Sequence, residues 1–201
     1  MSNKYERNLE RVRNLKQSQI TYWCHEIIRS QAAREGVYID ATMGNGNDTL
    51  LLCELAGKNG EVIAFDIQDQ ALEATKALLT DQGCLERARL IKDGHEHMDQ
   101  YVKRCSADVI CFNFGYLPGG DHRIATSADT SVTAICKGLD ILKNGGMMCL
   151  CIYSGGDTGF EEKERILEFI KNLPSREYVV IVNEYYNRGN NPPMPVFIFK
   201  K

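Results

Sequence analysis

The sequence predicts a doubly wound, Rossmann-like α/β fold: a seven-stranded, mostly parallel sheet whose last strand is antiparallel. Three observations predict it. Short apolar runs alternate with amphipathic stretches from residue 37 onward. Acidic or polar residues close most of those runs. The last two apolar runs, REYVVIVNEYY (176–186) and PVFIFK (195–200), follow one another with no helical stretch between them. Alternating strands and helices call for a parallel sheet covered on both faces. A short connection joins only antiparallel neighbours.

The elements follow in order. Residues 17–34 have the helical period, with Ile20, Trp23, Cys24, Ile27 and Ile28 on one face and Gly36 as the stop. VYIDA (37–41) is a buried strand closed by an acid. A Gly-rich turn leads into a helix from Thr49 to Ala56, which Asp48 and Thr49 are placed to cap. EVIAFD (61–66) is the second strand, Gln68 to Leu79 a helix, and ARLIKD (88–93) the third strand. Residues 94–104 read as helical and DVICFN (108–113) as strand four. After a Gly/Pro-rich loop over 114–123, a helix runs from Thr126 to Leu142, stopped by Asn144-Gly145-Gly146. MMCLCIY (147–153) is strand five and Glu161 to Asn172 a helix.

The chain of 201 residues suits one domain, with an N-terminal helical segment (1–36) before a Rossmann-like core (37–201). No run of 18 apolar residues suggests a membrane span, and the charged N-terminus lacks the apolar stretch of a signal peptide. A cytoplasmic location is expected, without membrane contact. The eight cysteines include no CxxC, and most lie in apolar runs, as structural thiols do; Cys149 and Cys151 should share one face of a strand. No metal site is expected. A net charge of −3 is no footprint for bulk nucleic-acid binding. Residues 1–36, however, carry seven basic against four acidic side chains. That excess suits phosphates, and equally a solvated helix in which Arg7 and Arg11 flank Glu10.

Ligands of open α/β sheets bind at the carboxyl ends of the strands. Four polar clusters fall there. The first is Asp40-Ala41-Thr42-Met43-Gly44-Asn45-Gly46-Asn47-Asp48, whose glycines permit a sharp turn and close backbone approach. It resembles the acid-x-Gly-x-Gly-x-Gly loop of class I methyltransferases that use S-adenosylmethionine (SAM), with Thr42 at the first glycine. A dinucleotide loop would want glycine or alanine where Thr49 stands, and acids beside a pyrophosphate are unfavourable. Asp40 and Asp48 suit a cationic sulfonium with an amino acid tail. The second cluster is Asp66 with Ile67 and Gln68, where a carboxylate accepts ribose hydroxyls. The third is Asp93-Gly94-His95, expected around the adenine. The fourth is Asn113-Phe114-Gly115-Tyr116-Leu117-Pro118-Gly119-Gly120-Asp121. It resembles the [N/D]-P-P-[Y/F] element of amino-group methyltransferases, in which the Asn carbonyl and a backbone carbonyl accept hydrogen bonds from the acceptor nitrogen.

Together, D-A-T-x-G-N-G-x-D and N-[LF]-G-Y-L-P-G-G-D resemble the bacterial rRNA methylase family, members of which act as tRNA 5-aminomethyl-(2-thio)uridine methyltransferases at the wobble position. The resemblance runs from residue 17 to the end. It implies a class I fold, SAM as cofactor and an RNA amine, on a tRNA anticodon stem-loop, as acceptor. It assigns Asp40, Gly44, Asn45, Gly46 and Asp48 to the cofactor, and Asn113 through Asp121 with Thr126 to the reaction. The family segment Y-x-G-H-x-x-G-x-x-E appears as Tyr153 through Glu162, with Gly156 in place of the histidine. Asn187-x-x-Asn190-x-Pro192-Pro193 also matches a family pattern.

The expected reaction is N-methylation of the 5-aminomethyl group of wobble uridine. Asn113 orients the amine, and Asp121 or His122 is placed to take its proton, as is water. Tyr116, Tyr153, Tyr185, Tyr186, Arg188 and Asn190 are candidates to hold the RNA. His95 is expected in the cofactor-pocket wall; His25 either faces the SAM tail or packs in the core. Other readings stay open: an rRNA or small-amine methyltransferase, an NAD-dependent oxidoreductase, or a non-catalytic RNA-binding module. The oligomeric state is also open, a homodimer included.

Overall fold

The computed structural model describes residues 19–115, 126–154 and 159–201. Helix α1 spans Ile20–Gln31, β1 Val37–Asp40, α2 Asn47–Ala56, β2 Glu61–Asp66, α3 Asp69–Asp81 and β3 Ala88–Lys92. Then come β4 Ala107–Phe114, α4 Ala128–Ile141, β5 Leu142–Ile152, α5 Gly159–Lys171, β6 Tyr178–Val182 and β7 Met194–Lys200.

The seven strands form one sheet in the order β3-β2-β1-β4-β5-β7-β6. β1 lies between β2 and β4, both parallel to it, while β7 runs antiparallel to β5 and β6. The order reverses between β1 and β4, and that switch point opens a crevice at the strand ends.

Alternate residues serve opposite faces, so the sheet supports two cores. Ile110 and Phe112 of β4 pack with Ile135 and Leu139 of α4 and Ile166 and Ile170 of α5. Val109 and Cys111, one residue out of step, pack with Ile20, Cys24 and Ile28 of α1 and Leu51, Leu52 and Leu55 of α2. Cys149 and Cys151 of β5 face this second core together. The spacing Ile20, Cys24, Ile28 makes a stripe of i, i+4, i+8 that anchors α1. Burying Ile28 alone contributes about 1.5–3 kcal/mol.

Several expected elements shift. Trp23 is 54% exposed, because it lies one position off that stripe. Helix α1 ends at Gln31 with Ala32 as its cap, so Gly36 is not the stop. A Cβ at Gly36 would stand 2.4 Å from the Asp108 carboxylate, which accepts the Val37 N–H. Residues 95–100 form a 3-10 segment in place of a longer helix. Asn144-Gly145-Gly146 does not follow a finished helix. It lies inside β5, where Leu142 pairs with Ala107 and the register then slips before Val109 meets Met147. Gly145, at φ 79°, supplies that irregularity. Strand β6 is half the expected length. No helix among the described residues is long and apolar enough to cross a membrane.

Candidate active site

Two adjoining cavities open at the carboxyl ends of β1, β2 and β4. The first holds about 230 Å³ and is lined by Asp66, Ile67, Gln68, Asp93, Gly94 and His95, among others. The second holds about 430 Å³ and is lined by Met43, Asn45, Asn47, Asp48, Phe114 and Tyr153, among others. Thr42, Gly44, Asn113 and Gly115 line both. A ligand spanning the two must therefore pass Asn113.

The glycine loop is held by bonds from distant residues. Asp66 accepts the Gly44 N–H through Oδ2 and the Gln68 N–H through Oδ1. Thr75 donates its hydroxyl to the Gly44 carbonyl at 3.0 Å. Gly46 sits at φ 81°, and a Cβ there would meet the Thr75 hydroxyl at 2.9 Å and its Cα at 3.0 Å. Both the conformation and the space thus exclude a side chain. Gly46 is itself the residue before α2, so Asp48 and Thr49 do not cap that helix with their side chains. Thr49 donates to Asp40 at 2.6 Å.

Asp40 is fully buried and reaches neither cavity. Burial, then the charge of Asp48, push its carboxyl up to about 7, against the bonds from Thr49 and from the Thr42 N–H. It serves as an internal brace for the loop, where the sequence suggested a ligand contact. Asp48 lines the second cavity with both oxygens engaged: Oδ1 lies 2.5 Å from His25 Nε2, and Oδ2 accepts Asn113 Nδ2–H at 2.8 Å. Asn113 also donates its backbone N–H to the Thr42 hydroxyl at 2.7 Å. A carboxylate only accepts, so the amide must turn its nitrogen to Asp48 and its oxygen the other way.

Asp93 accepts from His97, Tyr101 and the Gly94 N–H, all at 2.8 Å. The His97 and Tyr101 bonds hold its carboxyl below the usual range, and Asp93 raises His97 in return. Its carboxylate is thus committed to folding its own loop. His95 is 7% exposed, packed edge-on against Phe112 and Phe114, and Nε2 has no partner among the described residues. Burial depresses its pKa, against Glu96 and a hydrogen bond with the Ala41 backbone, so the ring is neutral at pH 7. An unmatched ring nitrogen in a cavity wall fits a ligand that completes it.

Thr126, expected on the acceptor side, lines the first cavity. Its N–H donates to the Gly115 carbonyl at 3.0 Å, and its hydroxyl accepts the Gly115 N–H at 2.9 Å. Behind it Glu162, 2% exposed, accepts from Ser131 at 2.5 Å. Burial raises Glu162, against bonds from Ser131 and Thr126. Asn190 lines the second cavity, while Arg188 stacks on the Tyr185 ring with 4.4 Å from Cζ to the centroid. Tyr116, Leu117, Pro118, Gly119, Gly120, Asp121, His122 and Gly156 lie outside the described residues. Thr21, Ser154, Asn191 and Pro193 also line the second cavity without having been given a role from the sequence. Ser154, Asn191 and Pro193 had a signal, since each falls in a segment that matches a family pattern. Among the described residues no three His, Cys, Asp or Glu side chains are grouped to hold a metal.

A sheet of this order, with a glycine loop after β1, an acid ending β2 and an Asn ending β4, defines a class I SAM-dependent methyltransferase. The cavities fit SAM in their chemistry: the carboxylate of Asp66 and the unpartnered ring nitrogen of His95 both stand in the lining of the first. Residues 62–199 match the sequence profile of the family described as "Putative rRNA methylase", and the chain belongs to that family. It is 36% identical over 185 residues to the chloroplastic tRNA (mnm(5)s(2)U34)-methyltransferase of Arabidopsis thaliana, covering 87% of this chain and 67% of that one. It spans about half the length of more distant curated relatives. An rRNA-methylase structure from Clostridium thermocellum superposes with a TM-score of 0.88 at 43% identity, covering 91% of this chain and 98% of that one. A Streptococcus mutans methyltransferase solved with S-adenosylhomocysteine (SAH) gives 0.81 at 35%, covering 90% and 97%. The chain is a methyltransferase, and SAM is its cofactor.

Proposed function

We propose that the protein N-methylates the 5-aminomethyl group of the wobble uridine in tRNA. The observation that carries this is the position and orientation of Asn113. It stands where the two cavities meet, with Nδ2 tied to Asp48, which leaves Oδ1 as a fixed acceptor. An amine offers the N–H that such an acceptor needs.

Bound SAM supplies an electrophilic methyl carbon on a sulfonium. The nucleoside half belongs in the first cavity, against Asp66, Gln68 and His95. The amino acid tail belongs along Gly44–Asn47 in the second. The acceptor nitrogen approaches Asn113 with one N–H on Oδ1 and its lone pair toward the methyl carbon. The nitrogen would take the methyl group from SAM held there, leaving the neutral thioether SAH, and the proton shed by the nitrogen would pass to water. Asp121 and His122 are further candidates for that proton. Positioning carries most of the rate, since little covalent chemistry falls to the protein. The Arg188–Tyr185 stack and the fully exposed Tyr186 offer planar surfaces for unpaired bases of an anticodon loop. The name of the chloroplast relative, which specifies U34 of tRNA, supports this reading over an rRNA or a small amine.

The test is an assay with tRNA carrying 5-aminomethyluridine at the wobble position, labelled SAM and nucleoside mass spectrometry. The methylaminomethyl nucleoside should form, and Asn113→Ala should slow it roughly 100-fold. No conversion by a wild-type protein that binds SAH would reject the wobble-uridine assignment.

A further inference from the structure

We infer that His25, on the helix that precedes the sheet, is a positioning residue for the methyl-transfer step: it fixes Asn113 through Asp48. This rests on the proposed role of Asn113, and it adds a residue that the glycine loop and the Asn113 loop do not contain.

Asp48 is the second residue of α2. A carboxylate there has a default partner, the unpaired backbone N–H groups of its own helix start. It does not take them as its side-chain bonds. Its Oδ1 turns to His25 Nε2 at 2.5 Å, and its Oδ2 turns to Asn113 Nδ2 at 2.8 Å. The His25 contact draws the carboxylate away from the helix start and into line with Asn113. Because a carboxylate only accepts, Nε2 carries a proton in either charge state of the ring. The amide of Asn113 is then locked against a flip, since a flip would set its oxygen against Asp48.

His25 is itself held. Ile20, Cys24 and Ile28 anchor α1 in the core, and Thr21, one turn before His25, lines the second cavity. The groups facing the ring are Asp48 from α2, and Cys24 and Arg29 from its own helix. Arg29 is drawn off by Glu54 of α2 at 2.8 Å. Cys149 and Cys151 of β5 lie behind Cys24. Burial opposes the imidazolium, but the bond to Asp48 and its charge outweigh burial, so the pKa is raised. When protonated, the ring also offsets Asp48 beside the buried Asp40.

The experiment compares wild type with His25→Ala and His25→Gln, whose amide keeps an N–H for Asp48, and with Asn113→Ala alone and combined with His25→Ala. Circular dichroism confirms folding. Three readouts are taken: SAH affinity by calorimetry, turnover on the aminomethyl tRNA, and the side-chain amide signal of Asn113 in selectively 15N-labelled protein. The expected result is a kcat lowered roughly 10–100-fold in His25→Ala with SAH affinity within about twofold. His25→Gln should recover most of it, and the double variant should be no slower than Asn113→Ala. The Asn113 amide signal should shift in His25→Ala and return in His25→Gln. An unmoved amide signal, or SAH affinity falling in step with kcat, would overturn the inference. If the wild type fails on this tRNA while the amide signal follows the expected pattern, the substrate assignment fails and the role of His25 stands.

Discussion

Asp40 closes β1 with no exposed surface and a carboxyl held near pH 7 by burial and by Asp48. Its folded pKa stands above the ordinary carboxylate value. Between about pH 4 and about pH 7 the folded chain therefore keeps a proton that the unfolded chain has lost. Stability from this group falls as pH rises through that window and is level above it. His25 acts in the same direction: its raised pKa gives a contribution that is full below the ordinary histidine value and lost as pH climbs through the folded one. In Asp40→Asn the first of these dependences disappears. The melting-temperature advantage of wild type over Asp40→Asn should widen between about pH 8 and about pH 5. An advantage that stays constant across that range would mean Asp40 does not hold the proton. The acid at the end of β1 was legible in the sequence; its burial was not. Nor were the pairings of His25, Thr75 and Thr42, whose partners Asp48, Gly44 and Asn113 lie 23, 31 and 71 residues away. Such pairings depend on the register of strands, and no local pattern encodes them.

Helix α4 begins with a reciprocal cap. Ser127 Oγ accepts the Thr130 N–H, and Thr130 Oγ1 accepts the Ser127 N–H. Ser127→Ala should lower the unfolding free energy by about 1 kcal/mol, read as a shifted urea midpoint with an unchanged slope. An unmoved midpoint would mean that the cap is redundant with the Gly115–Thr126 bonds beside it. Helices and strands with a clear period were placed well by sequence, β2 to the residue. The errors came where another force overrode the pattern. The apolar period of α1 included Trp23, but a stripe of three anchors suffices and the indole falls on the rim. The run after α4 looked like a helix stop, yet Leu142 already pairs with β4, and the glycines serve an irregular strand.

Across the molecule, the sheet order sets one functional end. Asp66, Asp93 and Asn113 come from three separate strand ends, and the reversal between β1 and β4 brings them around one crevice, with Asp40 of β1 buried beneath it. The alternation of strands and helices, with two final strands in succession, was enough to foresee this. How the acids divide their work was not foreseeable: Asp66 takes only backbone N–H groups, Asp93 and Asp48 take side chains as well or instead, and Asp40 is sealed beneath the loop. A site of this shape should be stabilised by SAH and not by NAD. At a hundredfold excess over its Kd, SAH should add about 2.7 kcal/mol and raise the melting temperature roughly 5–10 °C. An equal shift with NAD would contradict the assignment of the first cavity.

The two bonds between Gly115 and Thr126 have a bearing on how such enzymes diversify. They bring together the ends of a ten-residue segment, 116–125, and Glu162 anchors the join from the core side. The entropy of closing a loop of that length, about 2 kcal/mol in its length-dependent part, is opposed at the join by these two hydrogen bonds. A join made by the backbone of Gly115 with Thr126 is independent of which side chains stand between the two. Selection acting on a new acceptor can therefore leave the join, the cofactor cavity and the sheet beneath it as they are.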